Sequence, residues 1–444
     1  MSSQLATQSS SYNTAFRALL EKTASAEPSW LRRMREDSFA HFERTGFPSV
    51  KEEEWKYTNV APIAKLQFAP ASSNGQQGGN EFIVARVYDE TRQSRLVFVN
   101  GILQRELSSV EALPAGVSVI DIGEALAGGQ NETSIRESLE RAAKSESGFT
   151  ALNTALFSSG AFIFIPAGVS VAAPIHLQFI SDSSNGAAAA SFPRMLVVAA
   201  ENSAATIVES YASPGESVYL TDAIVDVQLG VGAQLKHFKV QRESPSAFHV
   251  ATTNAELGAN ASYDATTINL GAALSRHTID VVMDHEGAEC WVDGLYMIDG
   301  NQHTDTHSMI DHRQPHCTSH QLYKGILDGK SRAVFNGKVF VRHGAQQTDA
   351  QQTNKNLLLS NEAQVDTKPQ LEIFADDVKC AHGAAIGQLE EDELFYLESR
   401  GIRPELARNV LTYGFAEEVI EKIKIPSLKR DLDAVVLNRL QTLL

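Results

Sequence analysis

Cysteine is scarce in this sequence, and the usual marks of a secreted or membrane protein are missing. The 444 residues include only three cysteines, Cys290, Cys317 and Cys380, a sparse and odd set that makes no disulfide framework. The opening stretch MSSQLATQSSSYNTAF has neither a basic start nor an apolar core. No segment approaches the run of about 18 apolar residues that a membrane span requires. We therefore expect a cytoplasmic protein that does not bind membranes.

Positive charge is also in short supply. Lys and Arg total 38 against 54 Asp and Glu, which gives a formal net charge of −16 at pH 7. Such an acidic chain repels nucleic acid and anionic lipid, so we expect it to bind neither. Hydrophobic residues make up 43% and charged residues 21% of the chain, which is the balance of a globular protein. The length predicts roughly two to three domains.

The character of the sequence changes twice, and we predict three regions from these changes. Residues 1–150 mix helical and strand patterns. Residues 151–387 are rich in valine, threonine, isoleucine and alanine, with glycine and asparagine between short runs, as in a β-rich core. Residues 388–444 have the pattern of three helices, two of them beginning at Pro404 and Pro426.

The last predicted helix carries one apolar stripe, formed by Leu428, Leu432, Val435, Val436 and Leu440. Such a stripe usually packs into a core. A helical pair at the end of an elongated domain is also well placed to dock a partner, and both interpretations remain open from the sequence.

The central region contains a weak repeat of short strands. Four segments share a strand, a small or polar turn ending in alanine, and a second strand: VVAAENSAATIVESY, VDVQLGVGAQLKHFKV, NAELGANASYDATTINL and VVMDHEGAECWVDGLYM. The aligned alanines, Ala205, Ala233, Ala261 and Ala288, are 27 or 28 residues apart, and Ala333 and Ala363 continue the theme. This period predicts a mainly β protein with a parallel β-helix (solenoid) core between N-terminal and C-terminal helical regions. A two-sheet sandwich with similar hairpins is the alternative.

One stretch resembles a phosphate-binding loop, but it lacks the necessary spacing. In GILDGKS, from Gly325 to Ser331, only three residues separate the two glycines where the motif needs about four. The following RAVFNGKVFV has a strand pattern where a helix should begin. We expect this chain to bind no nucleotide.

Histidines crowd residues 302–320, QHTDTHSMIDHRQPHCTSH, with pairs of histidines four residues apart. This spacing can supply metal ligands. The intervening threonines favour a strand instead, on which residues 303, 305 and 307 share one face. A polar ladder on a solenoid, or a surface for a partner, then explains the residues without a metal. The residues concerned are His303, His307, His312, His316, Cys317 and His320.

Cys380 and His382 form the sharpest candidate site. They occur in EIFADDVKCAHGAAIG and, on a strand, point to the same side. An imidazole near a thiol can take its proton or help to hold the thiolate, which is both a nucleophile and a soft metal ligand. Ordinary packing at the last rung of the solenoid explains the pair equally well.

With these residues in hand, the chain resembles the SufB/SufD family, the scaffold subunits of the SufB–SufC–SufD machine for iron–sulfur cluster assembly. The resemblance rests on TSHQLYKGILDGKSRAVFNGKVFV, on the stretch from AQQTDAQQTNKNLLLSNEAQVDTKPQ through EIFADDVKCAHGAAIG to LFYLESRGI, and on EEEWKYTN near the start. SufB subunits carry a core cysteine that accepts sulfur, in a stretch similar to VESYASP here. Tyr211 stands at that position, and so the resemblance is to the SufD branch.

The resemblance implies a non-enzymatic scaffold that pairs with a SufB paralogue, and it leaves open whether the isolated chain forms a homodimer. It implies that His382 and Cys380 lie at the SufB–SufD interface, where a transient iron–sulfur cluster assembles and His382 serves as a metal ligand shared with SufB. It also implies that a helical segment docks SufC, an ABC-type ATPase. The docking residues expected from it are Leu394, Phe395, Leu397, Arg400, Gly401, Ile402, Leu406 and Val410.

Two other functions remain open from the sequence. A solenoid enzyme acting on polysaccharide could take its paired carboxylates from Asp280, Asp284, Asp299, Asp305 and Asp311. A purely structural scaffold would use neither Cys380 nor His382 as a ligand.

Overall fold

The predicted parallel solenoid is confirmed. A computed structural model describes residues 2–24, 27–66, 68–70, 79–129, 131–182 and 188–442 of the chain. Two β-sheets face each other across an apolar interior, and the chain alternates between them, adding one strand to each sheet per coil. From residue 160 onward the strands pair with one another in parallel from coil to coil, as a β-helix requires and a hairpin sandwich does not.

The first sheet contains eleven strands. They are β1 (Ala69–Pro70), β4 (Ser118–Asp121), β5 (Gly160–Ile165), β7 (Ala189–Ser191), β8 (Arg194–Ala199), β10 (Tyr219–Leu229), β12 (Phe248–Leu257), β14 (Leu274–Met283), β16 (His303–His312), β18 (Arg332–Val341) and β20 (Gln364–Ile373). Their order is β20-β18-β16-β14-β12-β10-β8-β5-β4, with β7 beside β10 and β1 beside β7.

The second sheet contains ten strands. They are β2 (Arg95–Val99), β3 (Ile102–Leu103), β6 (Ile175–Ile180), β9 (Ala204–Ala212), β11 (Gln234–Arg242), β13 (Ser262–Asn269), β15 (Glu289–Ile298), β17 (Thr318–Leu327), β19 (Thr348–Leu358) and β21 (Val378–Gly387). Their order is β21-β19-β17-β15-β13-β11-β9-β6-β2-β3. Because β2 and β4 pair with β6 and β5, the first 150 residues contribute strands to both sheets, and the three-region division of the chain stays a prediction.

Helices cover the outer faces of both sheets. They are α1 (Ser2–Thr23), α2 (Ser29–Thr45), α3 (Ala61–Lys65), α4 (Gly79–Val84), α5 (Ile122–Ala127), α6 (Glu132–Ala143), α7 (Gly148–Leu156), α8 (Glu391–Ser399), α9 (Pro404–Ile420) and α10 (Pro426–Thr442). The N-terminal helices α1–α3 and α5–α7 pack on the first sheet, and α9 and α10 pack on the second. None of the described helices is both long enough and apolar enough to cross a bilayer.

The apolar stripe of the last helix is core. Leu428, Leu432 and Val436 are fully buried and lie against the outer face of the second sheet, where Phe238 and Ile268 contribute to the same cluster. The stripe is therefore not a docking surface, and any partner surface on the C-terminal helices must lie elsewhere.

The alanine repeat is confirmed in part. Ala233, Ala261 and Ala288 stand directly before β11, β13 and β15, and each is fully buried. Each follows a residue with positive φ (Gly232, Asn260 or Gly287), a backbone conformation that glycine and asparagine adopt most easily. The small side chain fits where this tight turn stacks on the next coil.

The predicted alignment of Ala205, Ala333 and Ala363 with this column is wrong. Ala205 pairs with Leu235, two residues beyond the turn, so the true counterpart of Ala233 is Ser203. Ala333 belongs to the first sheet and pairs with Val365, so it is not equivalent to Ala363. The turns between strands differ in length, and equal spacing along the chain therefore does not guarantee equivalent places in successive coils. Cys317 continues the small-residue column, after His316 with φ 60°.

Candidate functional site

The solenoid ends in an open coil formed by β20 and β21. Within the described residues each of these strands pairs on one edge only, β20 with β18 and β21 with β19. Both are half-buried or exposed along their whole length. Ile373, Phe374 and Ile386 are 39%, 47% and 49% exposed. Unpaired strand edges beside exposed apolar side chains are typical of a surface that meets another chain.

Cys380 and His382 lie on β21 and share one side of it, as strand alternation predicts. Cys380 pairs with Ala350 and His382 with Gln352, both of which are buried inside the coil below. In-register parallel strands keep side chains on the same face, so Cys380 and His382 point into the open end of the solenoid interior. We call this open end the mouth of the last coil. His382 is exposed only because no further coil covers it.

The thiol of Cys380 is set among apolar neighbours. It lies against a small cluster that includes Val339, Ala350 and Ala375. Burial raises the pKa of this thiol, and the Asp349 carboxylate raises it further, whereas a backbone hydrogen bond from Ala350 acts in the opposite direction. In this chain the neutral thiol is therefore the favoured form, and forming a thiolate ligand requires a change in these surroundings.

Tyr211, the residue that the resemblance matches to the SufB sulfur acceptor, is fully buried inside the solenoid. Its hydroxyl donates to Glu209 Oε2 at 3.3 Å, and its ring stacks on Phe179. Burial and the Glu209 carboxylate raise the pKa of the hydroxyl well above its ordinary value. A phenol held neutral in this way offers no nucleophile at the position.

The EEEWKYTN motif packs against the outer face of the first sheet, over the histidine-rich strand. Its Thr58 hydroxyl donates to Asp305 Oδ2 at 2.5 Å. The Arg276 guanidinium donates to the backbone carbonyl of Glu54 and lies 3.8 Å from the centre of the Trp55 ring. As predicted, residues 303, 305 and 307 share one face of β16, and that face is the one that the motif covers.

A charge cluster that is buried except for Glu54, whose side chain is 70% exposed, holds this contact together. Asp305 pairs with Arg276 at 2.6 Å and with His307 Nε2 at 3.0 Å, and Glu54 accepts from His307 Nδ1 at 3.1 Å. Burial alone would raise the pKa of Asp305, but Arg276 and His307 outweigh it and hold that pKa well below its ordinary value. Burial alone would lower the pKa of His307, but Asp305 and Glu54 outweigh it and raise that pKa. We call Glu54, Thr58, Arg276, Asp305 and His307 the anchor cluster.

The remaining histidines of the stretch disperse to other places. His312 points inward and contacts the Ser319 hydroxyl at 2.8 Å. His316 lies in a turn, 3.6 Å from Glu286, and His320 stacks on Trp291 on the outer face of the second sheet. No group of three or more His, Cys, Asp or Glu side chains in the described ranges is arranged to hold a metal ion. The metal interpretation of this stretch is therefore wrong for those residues, because alternation and the turn send its histidines to different faces.

The structure supports neither a polysaccharide-cleaving site built on the aspartates nor a phosphate-binding loop at GILDGKS. Asp305 is held by Arg276, and Asp311 is held by Arg313 and Arg342, so these carboxylates serve as ion-pair partners. GILDGKS, residues 325–331, forms the end of β17 and a turn. The following RAVFNGKVFV forms the strand β18, as its sequence predicts. A phosphate-binding loop would end in a helix N-terminus instead.

Helix α8 and the first half of α9 form an uncovered surface. In α8 none of the described side chains is buried. Phe395 and Tyr396 are 72% and 57% exposed, and Leu406 and Val410 of α9 are 49% and 46% exposed. The Arg400 guanidinium lies 5.1 Å from the centre of the Tyr396 ring. Gly401, with a φ of 85°, lies two residues beyond the end of α8.

Comparisons with known proteins point in one direction. The sequence model described as SUF system FeS cluster assembly, SufBD core domain, matches residues 179–415, and the SufBD protein N-terminal region matches residues 6–177. An iron–sulfur cluster assembly SufBD family protein of Synechocystis is 38% identical over 86% of this chain and 85% of its own length. The iron–sulfur cluster assembly protein SufD of Escherichia coli is 33% identical over 89% of this chain and 90% of its own length.

Proposed function

Because the chain belongs to the SufBD family of the SUF system for iron–sulfur cluster assembly, we propose that it is a SufD-type scaffold subunit without ATPase activity of its own. It pairs with a SufB paralogue at the open end of the solenoid and docks SufC, an ABC-type ATPase, on α8 and α9. It works in the cytoplasm, where its three free cysteines stay reduced. The observation that carries the proposal is an exposed histidine on a terminal strand with an unpaired edge.

The nascent cluster is the product that this scaffold helps to build. His382 offers an imidazole nitrogen, which suits iron, and Cys380 offers a thiol two residues away. These groups alone are an incomplete ligand set. We propose that SufB supplies the remaining ligands across the interface, so that the site is complete only in the assembled complex. Burial keeps Cys380 protonated in the free chain, which makes His382 the more important of the two.

The edges of β20 and β21 supply the means of pairing. A terminal parallel strand presents unpaired backbone N–H and C=O groups, and a strand from another chain can satisfy them. Ile373, Phe374 and Ile386 add apolar surface beside these edges, which pairing would remove from water. The same edges can accept a second copy of this chain, so a homodimer of the isolated protein is the competing assembly.

The test of the cluster site is His382→Ala in the complex coexpressed with SufB and SufC. We expect the complex to copurify at normal stoichiometry and to lose the visible absorbance of the reconstituted cluster. His316→Ala is the matched control, because His316 is an exposed histidine in a turn away from the mouth. Cys380→Ala, measured alongside, separates the thiol from the imidazole. An unchanged cluster yield in His382→Ala would overturn the assignment.

The docking surface for SufC is supported by exposure rather than by any contact. The expected docking residues Leu394, Phe395, Leu397, Arg400, Gly401, Ile402, Leu406 and Val410 are all half-buried or exposed. Together they offer an apolar helical surface with a cation between the two helices, which is suited to a groove on a partner. The proposal assigns the bound nucleotide to SufC.

We expect the double variant Phe395→Ala with Arg400→Glu to release SufC from the complex while SufB stays bound. Leu437→Ala is the control, since Leu437 is an apolar side chain 41% exposed on α10, outside the proposed surface. Copurification with tagged SufC, read by densitometry, gives the result. Full retention of SufC by the double variant would place the docking surface elsewhere.

A further inference from the structure

A row of polar side chains runs along the interior of the solenoid to its open end. Gln321 Nε2 donates to Ser308 Oγ at 2.7 Å, and Gln352 Nε2 donates to Gln321 Oε1 at 2.7 Å. The three side chains are at most 4% exposed. Gln321 and Gln352 are register partners on β17 and β19, so this part of the row is an amide ladder along the second sheet.

The ladder ends in an unused acceptor. Gln352 Oε1 is buried and accepts no hydrogen bond from the described part of the chain. Because Gln352 Nε2 already donates to Gln321, Gln352 Oε1 is the atom that can form a hydrogen bond with the next coil. The register partner of Gln352 on the next coil is His382. A buried amide oxygen without a donor is unfavourable, and an imidazole N–H is the donor that this coil can offer.

We propose that Gln352 is a positioning residue for His382: its Oε1 accepts from one ring N–H and leaves the other ring nitrogen facing the partner subunit. Histidine ligands of metals generally donate their second N–H in this way, which fixes both the tautomer and the ring orientation. The inference rests on the proposed function of His382 and deepens it. An amide oxygen suits this task because it accepts the hydrogen bond without adding a negative charge.

The opposite sheet leaves room for this amide. Gly337 on β18 faces the ladder, and a Cβ atom built at this position would lie 2.4 Å from Gln352 Nε2. Gly337 is also the register partner of Ser308, which ends the ladder on the first sheet. A larger residue here would push the Gln352 amide out of line, so the glycine and the glutamine form one arrangement.

The experiment reads the tautomer of His382 directly. In the full-length chain labelled with ¹⁵N-histidine, His382→Ala identifies the His382 resonances, and their ring nitrogen shifts report which nitrogen carries the proton. We expect one dominant tautomer in the wild type and a mixture in Gln352→Met, which keeps the size of the side chain but has no acceptor oxygen. Gln351→Met is the control, because Gln351 is exposed on the opposite face of the same strand.

Two further readouts distinguish positioning from mere folding. Gln352→Glu keeps an acceptor oxygen for the ring N–H, so it should keep the single tautomer of His382 that Gln352→Met loses. In the complex with SufB and SufC, Gln352→Met should weaken Fe(II) binding by about tenfold or more. An unchanged tautomer ratio in Gln352→Met would overturn the inference. If His382→Ala leaves cluster formation intact, the proposed function fails, yet the tautomer measurement still decides the role of Gln352.

Discussion

Replacing Asp305 by asparagine tests whether a buried charge pair attaches the EEEWKYTN motif to the solenoid. Asp305 is 1% exposed, accepts from Arg276 and Thr58, and forms an ion pair with His307. Asparagine keeps the size of the side chain but leaves the buried Arg276 guanidinium without its ion-pair partner. Removing one partner of a buried ion pair costs roughly 3–5 kcal/mol, because the remaining charge stays desolvated.

This free energy has a measurable local consequence. About 1.4 kcal/mol corresponds to a factor of ten in an equilibrium constant, so opening of the motif should become roughly two to nearly four orders of magnitude more frequent. Hydrogen–deuterium exchange at pH 7, followed in peptides covering residues 53–58, measures this opening directly. Peptides from α10 should not change, because that helix packs on the other sheet.

The chain contains a matched control for this substitution. Asp366 lies two coils further along the same face of the first sheet, in register with Val334 and through it with Asp305, and it also pairs with an arginine, Arg332. Those two side chains are 33% and 39% exposed, and exposed pairs contribute at most about 1 kcal/mol. Asp366→Asn should therefore change exchange only a few-fold. Equal, small effects of Asp305→Asn and Asp366→Asn would refute the argument that burial makes the anchor cluster strong.

Three other predictions test the same energetics elsewhere. The raised pKa of His307 stabilises the folded motif, and this stabilisation is fully present below the ordinary histidine pKa of about 6.5. It is lost as the pH rises through the raised pKa. Hydrogen–deuterium exchange of residues 53–58, corrected for intrinsic rates, should therefore become faster across that pH range. Lys239→Met leaves Glu209 buried without its cation and should cost roughly 3–5 kcal/mol in urea unfolding, whereas adding Glu209→Gln should recover much of the loss. Leu432→Ala should cost about 2–5 kcal/mol and expose the C-terminal helices to limited proteolysis, since Leu432 is fully buried against the second sheet.

The sequence predicts the fold well where the signal is local. A solenoid repeats short strands and tight turns, so each coil carries its own evidence, as the Gly-Ala and Asn-Ala turns before β11, β13 and β15 do. The helix starts at Pro404 and Pro426 are confirmed for the same reason, because proline at a first helical position needs only its neighbours to be understood. A local signal does not give the register between coils, and the predicted alignment of Ala205 with Ala233 is wrong for that reason.

For the candidate site, too, the sequence predicts local features but not those that depend on the packing of one coil on another. That Cys380 and His382 share a side follows from strand alternation and needs no structure. Their direction, into the mouth of the last coil, depends on which face of β19 lies inside. Because β21 is half-buried or exposed along its whole length, its own sequence does not mark the inward face. Gln352 was missed, although one signal points to it: it lies 31 residues after Gln321 and 30 before His382, the spacing of successive coils.

The anchor cluster was out of reach of sequence reasoning for a different reason. Glu54 and His307 are 253 residues apart, and each belongs to a pattern that is explained without the other. The histidine-rich strand suggested a metal site because its ligand types are suitable, but the actual partner of its outer face is a short acidic and aromatic segment from the N-terminal region. Only the packing of that region on the first sheet brings these two patterns together.

The interior of the solenoid explains why polar residues occur where a sequence rule would place them outside. On β11 the apolar residues Phe238 and Val240 face outward, because α9 and α10 cover that side, and the alternate residue Lys239 faces inward to pair with Glu209 at 3.0 Å. Because helices cover the outer face of this sheet, apolar side chains face outward and polar ones can face inward, the reverse of the usual arrangement. Successive side chains along the strand still alternate between the two faces. Once the inward face accepts charged and amide side chains, a polar row can continue from coil to coil until the coils stop. An inward-pointing histidine at that end has Gln352 as its register partner in the coil below, and among the described residues no further strand pairs above it.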